Sequence, residues 1–362
     1  MNDTIGVLHL VDSLALGGAE HMAVLLANNL PESRYRAYLC ASRQAGALQD
    51  KIQPHVIFYN MRRKGRFDLL SVFRLAKFIR RENIGILHAH TTSLFLGVIL
   101  CWMLPSLRLV WHDHFGEQGM RAHPVWLYRS FARRADIVFC VTRELADWSV
   151  HSLGLPVERV RYLPNFIETL PPITQIILPG EAGKRIVCVA NIRLQKDHLT
   201  LLRALARVIQ VDARAHLFLV GAETDPALAK QARQESLRLG LDAHVSWLGL
   251  RNDVPDLLEQ CDIGVLSSIS EGFPVALLEY GRAGLAVVST QVGQAAEILE
   301  NGRAGALVPR SDPEALAEQL IQMLQSPSVR RQFGERLQAR VLREYGVESI
   351  VQRVCGIYET LI

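Results

Sequence analysis

Short apolar runs alternate with longer stretches of helical period along the whole chain. In the first half, "IGVLHLV" (5–11), "HVIFY" (55–59), "IGILHAH" (84–90), "LRLVWHD" (107–113), "DIVFCV" (136–141) and "VRYLP" (160–164) are continuous apolar runs. Runs of that kind are buried strands of a parallel sheet, covered on both faces. The stretches 19–30, 68–82, 93–104 and 143–153 between them predict helices. The segment 164–185, "PNFIETLPPITQIILPGEAGKR", holds four prolines and no clean period, as a linker does. Beyond it the alternation resumes with "RIVCVA", "AHLFLVG", "HVSWLG", "DIGVLSS", "LAVVST" and "GALVP". Two successive βαβ domains are therefore predicted, residues 1–168 and 185–345, with a linker at 169–184 and a terminal helix at 346–362. No repeat of solenoid length is present. Ligands of open parallel sheets bind beyond the carboxyl ends of the strands, so function is sought in the loops that follow them.

Composition changes this picture little, and charge somewhat more. The 362 residues exceed one ordinary core, and 49% hydrophobic content suits globular packing. The six cysteines are scattered without a CxxC pair, which predicts reduced core residues rather than zinc or disulfides. The N-terminus lacks signal-peptide character, and the longest apolar run, "LFLGVILCWML", is too short to span a bilayer; a cytoplasmic protein is expected. Residues 1–165 carry 20 Lys and Arg against 13 Asp and Glu, a surplus of seven positive charges. The remainder has 20 against 23, so the first half is the one suited to an anionic surface.

Four constellations carry candidate chemistry. Gly17-Gly18, after the first strand, permits close backbone approach, and the helix that follows offers amides to a phosphate or sugar oxygen. There is no G-x-G-x-x-G and no Walker lysine, which makes dinucleotide and P-loop readings poor. His88, His90, His112 and His114 end two strands. Zinc ligation would need a completed shell, and no Asp, Glu or Cys cluster supplies one; a histidine bonding a sugar hydroxyl or phosphate is favoured, the others being structural. Arg193 and Lys196 lead into a helix whose N-terminus ordinarily prefers acidic residues, a placement suited to a diphosphate. Finally, "SEGFPVALLE" sets Glu271 before a helix start, held by amides, and Glu279 within the helix. Capping would explain Glu271 but not Glu279, and two carboxylates accepting hydroxyl hydrogen bonds make a grip for a polyol.

"EGFPVALLE" resembles the Glu-x7-Glu signature of retaining glycosyltransferases of family 4. "LALGGAEHMAVLLANNL", "ILHAHTT", "VRYLPNFIE", "VANIRLQKDHLTLLRAL", "HVSWLGLRNDVPDLLEQCDIGVLSS", "VSTQVGQAAEIL" and "GALVPRSDPEALAEQL" are similar to family segments in the same order. The resemblance implies a GT-B fold, α/β, with two facing Rossmann-like parallel-sheet domains and an interdomain cleft. It implies an N-terminal acceptor-binding domain, a C-terminal nucleotide-sugar domain, and a final helix crossing back to the first domain. It also implies roles. Glu279 would bind ribose hydroxyls and Glu271 the donor sugar, with Gly272, Phe273, Pro274 and Val275 between them at the donor site. Lys196 and Arg193 would neutralise the diphosphate, the backbone at Leu250 and Arg251 would frame the base, and Gly17 and Gly18 would approach the sugar and phosphate. His112 or His114 would lie near the reacting carbon. The sequence departs from the family at Asn191, where an arginine is usual, at Gly293-Gln294 in place of Gly-Gly, and at His21.

No Asp-x-Asp is present, so no metal and no cofactor is expected, the nucleotide-sugar being a substrate. Leu69, Val72, Phe73, Ala76 and Ile79 form a predicted apolar stripe with Arg74, Lys77 and Arg81 opposite, suited either to solvent or to peripheral contact with anionic lipid near a lipid-linked or glycan acceptor. Nucleic acid is not expected, since no aromatics interleave the charges. The competing readings are an epimerase or phosphorylase on the same fold, and a sugar-nucleotide-binding protein without turnover.

Overall fold

The computed structural model describes residues 4–15, 17–65, 68–115, 124–168 and 176–362. The chain divides into two compact units, residues 1–168 with 347–362, and residues 169–346. Of the expected linker 169–184, residues 169–175 lie outside the described ones, and 176–184 form no helix or strand.

The first unit is built on a parallel sheet of β1 (Ile5–Ser13), β2 (Tyr35–Gln44), β3 (Ile57–Asn60), β4 (Ile84–His90), β5 (Arg108–Asp113), β6 (Ile137–Cys140) and β7 (Val160–Tyr162). Their order is β3-β2-β1-β4-β5-β6-β7. β2 is absent from the run-based reading because Arg36, Ser42 and Arg43 interrupt it, yet it is buried from Ala37 to Ser42. Ser42 is tolerated there because its hydroxyl donates to Asp12 Oδ1 at 3.0 Å. Side chains alternate between two cores. Leu8, Leu10, Leu87, Leu109 and Trp111 pack under the helices Leu69–Arg81, Leu94–Met103, Val125–Ala132 and Arg143–His151. Val7, Val11, Ile86, Val110 and Phe139 pack under Gly18–Asn29 and the C-terminal helix Val347–Tyr358.

The stripe expected on the helix Leu69–Arg81 needs correction. Val72, Leu75, Ala76 and Ile79 are its buried side, whereas Leu69 and Phe73 are 62% and 60% exposed. Phe73 lies 100° round from Val72 and pairs with Leu70 three residues earlier, forming a second apolar ridge that faces outward.

The second unit carries β8 (Arg185–Val189), β9 (His216–Val220), β10 (Val245–Gly249), β11 (Ile263–Leu266), β12 (Ala286–Thr290) and β13 (Ala306–Val308), in the order β10-β9-β8-β11-β12-β13. The chain reverses direction across the sheet between β8 and β11, the switch point where open α/β sheets bind ligands. β8 and β11 pair only at Ile263–Ile186 and Gly264–Val187. Past that point the Tyr280 hydroxyl bridges them, accepting from Val189 N at 2.7 Å and donating to Val265 O at 3.3 Å. A Cβ on Gly264 would collide with the Tyr280 ring, so this glycine admits the wedge. The helix Val275–Arg282 is thereby fixed against the switch point.

Candidate functional site

In the second unit the loops leaving β8 and β11 bring the predicted cation and carboxylate into contact. The short 3-10 turn Leu194–Lys196 follows β8 and stops at Asp197, which adopts left-handed dihedrals of φ 45° and ψ 55°. Asp197 then caps the helix His198–Val211, accepting from Thr200 N at 3.2 Å and Thr200 Oγ1 at 2.8 Å. Lys196 is thus pinned between a turn and a capped helix. Its Nζ lies 2.5 Å from Glu271 Oε1, and that oxygen also accepts from Ser268 Oγ at 2.6 Å. Ser267 Oγ donates to Lys196 O at 2.9 Å, and Ile269 N to Gln195 O at 2.8 Å, so the two loops are laced together. The side chains of Lys196 and Glu271 remain 23% and 12% exposed, which leaves the pair open to a ligand.

Glu271 is therefore held by a lysine and a hydroxyl, not by helix amides as its position had implied. The helix begins at Val275, with Pro274 at its N-cap, so the carboxylate lies short of the free amides. Glu279 is half-buried on the same helix, beside Tyr280. Phe273 is buried, its ring centroid 5.9 Å from that of Tyr345. The third wall of the loop is the Gly293-Gln294 turn after β12, where Gln294 N donates to Gly272 O at 3.1 Å. Gly293 has φ +45°, and a Cβ there would collide with the Gly272 carbonyl. This glycine is required by close approach; Gln294 can replace the family's second glycine because it enters a short helical turn.

The other predicted donor residues sit along the same rim. Asn191 Oδ1 accepts from Ala222 N at 2.8 Å, tying the β8 exit to the β9 exit in place of a cation. Arg193 is exposed and its Nε donates to Thr224 Oγ1 at 3.3 Å, so it is turned toward the β9 loop rather than toward Glu271. Leu250 is 63% exposed after β10, and Arg251 grips Asp253 through Nε at 2.7 Å and Nη2 at 2.5 Å.

In the first unit, Gly17 is the N-cap of Gly18–Asn29 without a side-chain cap, and a Cβ there would collide with the Glu20 carboxylate. Nothing lies within 4 Å of where a Gly18 Cβ would be. Burial, with the nearby charge of Asp12, raises the Glu20 carboxyl above its ordinary range. Asp12 itself accepts from Thr92 Oγ1 at 2.5 Å. His112 is 1% exposed and His114 half-buried, their ring centroids 4.0 Å apart. Burial lowers the His114 imidazole to about 3 and His112 well below its ordinary value, so both are neutral. Sequence reasoning did not single out Asp12, Ser268, Tyr280 or His9. His9 had a signal, a polar residue inside the apolar run "IGVLHLV" at the parity of Val7 and Val11, but its pairing with His88 is visible only in the sheet.

A model of "Glycosyltransferase Family 4" matches residues 16–169, and one of "Glycosyl transferases group 1" matches residues 183–326. The chain belongs to glycosyltransferase family 4. Among curated relatives, this family 4 chain is similar to the N-acetyl-alpha-D-glucosaminyl L-malate synthase of Bacillus anthracis, at 26% identity over 95% of this chain and 94% of that one. It is also similar to a Campylobacter jejuni N,N'-diacetylbacillosaminyl-diphospho-undecaprenol alpha-1,3-N-acetylgalactosaminyltransferase, at 25% identity over 81% and 82%. Its fold matches a Rickettsia africae glycosyltransferase with a TM-score of 0.83 at 16% identity over 99% of each chain. It also matches Anabaena HepE, solved with UDP and glucose, with a TM-score of 0.78 at 21% identity over 98% and 99%. The family 4 chain thus has the α/β GT-B fold, with a parallel sheet in each unit.

Proposed function

We propose that this glycosyltransferase is a retaining, metal-independent hexosyltransferase. It moves a sugar from a nucleotide-sugar, a UDP-sugar first and a GDP-sugar next, to a glycan or lipid-linked acceptor of cell-surface polysaccharide or lipopolysaccharide. The observation that carries the reading is the Lys196–Glu271 contact at the β8/β11 switch point. An arriving diphosphate competes with Glu271 for the ammonium. Lys196 then stabilises the charge that grows on the leaving oxygen, and the released carboxylate accepts donor-sugar hydroxyls. Glu279 takes the ribose hydroxyls, and Arg251 and Leu250 frame the base. Arg193 must swing from Thr224 to reach the phosphates. The bond from the anomeric carbon to the diphosphate breaks, the acceptor oxygen bonds the same face, and the acceptor proton passes to the departing diphosphate. No divalent cation bridges the phosphates, so omitting Mg²⁺ or Mn²⁺ leaves the rate unchanged.

A thermal-shift screen against UDP, GDP, ADP and their sugar conjugates tests the donor site. Ligand at 100 times its Kd stabilises the protein by about 2.7 kcal/mol. The expected result is a shift with one base series that Glu279→Ala abolishes; no shift at millimolar nucleotide sinks the assignment. Slow donor hydrolysis without acceptor separates an enzyme from a mere binding protein.

Peripheral membrane contact at the cytoplasmic face is part of the same reading. No described helix is long and apolar enough to cross a membrane. Three helices on one face of the first sheet do, however, expose Leu69, Leu70, Phe73, Trp102 and Trp126, beside the exposed Arg74, Lys77, Arg80 and Arg81. Apolar and aromatic anchors among cations suit an anionic interface. In vesicle flotation, Phe73→Ser with Trp126→Ser is expected to lower the fraction bound to anionic vesicles at least tenfold, with about 1.4 kcal/mol lost. Equal flotation of variant and parent discards this surface.

A further inference from the structure

Five histidines of the first unit, His9 on β1, His88 and His90 on β4, and His112 with His114 on or just after β5, gather on one side of the sheet. β1 pairs with β4 in a register that sets His9 opposite His88, and β4 with β5 in one that sets His90 opposite His112. Strand alternation then points His9, His88 and His90 to a common side. Their ring centroids lie 4.6–5.6 Å apart, and one ligand nitrogen from each falls within 4.8 Å of the others. All three are at most 1% exposed.

We propose that His9, His88 and His90 bind one borderline transition-metal ion of the class that prefers imidazole, such as zinc, copper, nickel or cobalt. The partners of the ring nitrogens carry the inference. His88 Nδ1 is engaged by the Tyr358 hydroxyl at 2.5 Å, and His90 Nδ1 by His114 Nε2 at 3.1 Å. Each ring is thus oriented from outside through one nitrogen and turns the other inward, as second-shell partners orient metal-ligating histidines. The inward His90 Nε2 lies 3.3 Å from His9 Nδ1, while His88 Nε2 has no hydrogen-bond partner at all. A tetrahedral ion with metal–nitrogen bonds of 2.0–2.1 Å has ligand edges of about 3.3 Å. The His9–His90 separation already has that length, and rotation about χ2 shortens the remaining edges.

A purely hydrogen-bonded ladder accounts for the His9–His90 and His90–His114 contacts but leaves His88 Nε2, like His9 Nε2, unsatisfied in a dry core. Such a group is costly, and an ion with an open ligand position removes the cost. Three neutral imidazoles without a carboxylate exclude the hard cations Mg²⁺ and Ca²⁺, which demand oxygen. The absence of Asp, Glu and Cys, which argued against zinc in the sequence, therefore selects the ion class instead. His9, the histidine absent from the sequence reading, completes the set of three. The ion would tie β1 to β4 and, through Tyr358, to the C-terminal helix.

The test uses the full chain, freed of any histidine tag and grown with added zinc, copper, nickel or cobalt in turn. Elemental analysis is expected to find about one ion per chain with at least one of these metals. His9→Gln and His90→Gln bring it to background, whereas His198→Gln, a buried histidine of the second unit, keeps it. Tyr358→Phe keeps the ligands and lowers metal affinity 10–100-fold in chelator competition. If the glutamine variants do not fold, the parent decides alone: cobalt-loaded protein shows visible d–d bands and three paramagnetically shifted imidazole N–H resonances. Parent protein that takes up none of the four metals and shows no cobalt bands overturns the proposal. So does metal content in folded His9→Gln and His90→Gln equal to the parent's, which places the ion elsewhere.

Discussion

Replacing Lys196 with alanine is expected to lower kcat for sugar transfer by about 10²–10³, the loss seen when one preorganised group facing a developing oxyanion is removed. Lys196 follows β8 and Glu271 follows β11, the two strands between which the second sheet reverses, and the Nζ–Oε1 distance is 2.5 Å. The stability cost is expected to be much smaller, about 1 kcal/mol, because Glu271 keeps its hydrogen bond from Ser268 and retains solvent access. Lys196→Arg keeps the charge but not the compact ammonium geometry and should recover activity only in part. Steady-state and single-turnover rates with the donor found by thermal shift, beside a melting curve, separate the two effects. A variant that melts several degrees lower but turns over normally would make the ion pair a structural clasp and nothing more.

The sheet elements were legible where apolar runs were unbroken, as at "IGVLHLV" and "DIVFCV". β2 was not, because its polar residues have a tertiary reason: Ser42 is there for Asp12, which in turn holds Thr92. Along the helix Leu69–Arg81 the helical period was legible but the face was not, since an exposed ridge of Leu70 and Phe73 has the same period as a buried one. At the candidate site, residue identity exceeded what residue placement revealed. Glu271 and Lys196 could be named from the sequence, but their direct contact depends on two loops laced by Ser267 and Ile269. Arg193 could be named too, yet its guanidinium faces Thr224. Tyr280 looked like one more core aromatic, and only the splayed β8/β11 pairing gives its hydroxyl a task.

Acidification from pH 7.5 to 5 is expected to destabilise the second unit through His198, by about 2 kcal/mol that His198→Gln does not lose. His198 opens the helix that Asp197 caps and is 4% exposed. Burial, followed by the positive charge of Lys196, lowers its imidazole from 6.5 to about 4, with the Ala190 backbone and then Asp197 opposing. Because the folded value is depressed, neither state is protonated above about pH 6.5 and His198 contributes nothing there. Between 6.5 and 4 the unfolded chain takes up a proton that the folded unit refuses, so stability falls by about 1.4 kcal/mol per pH unit across that window. By pH 5 the loss is about 2 kcal/mol, and by pH 4 about 3 kcal/mol. Hydrogen exchange of peptides from β8 and β9, read at both pH values, isolates this unit from the histidines of the other. The parent's opening free energy should fall by the larger amount, and Lys196→Ala should narrow the gap by removing the second cause of the shift. Parallel pH dependences in parent and His198→Gln would mean that this imidazole is protonated in the folded unit at pH 5, with the Ala190 backbone and Asp197 outweighing both burial and Lys196.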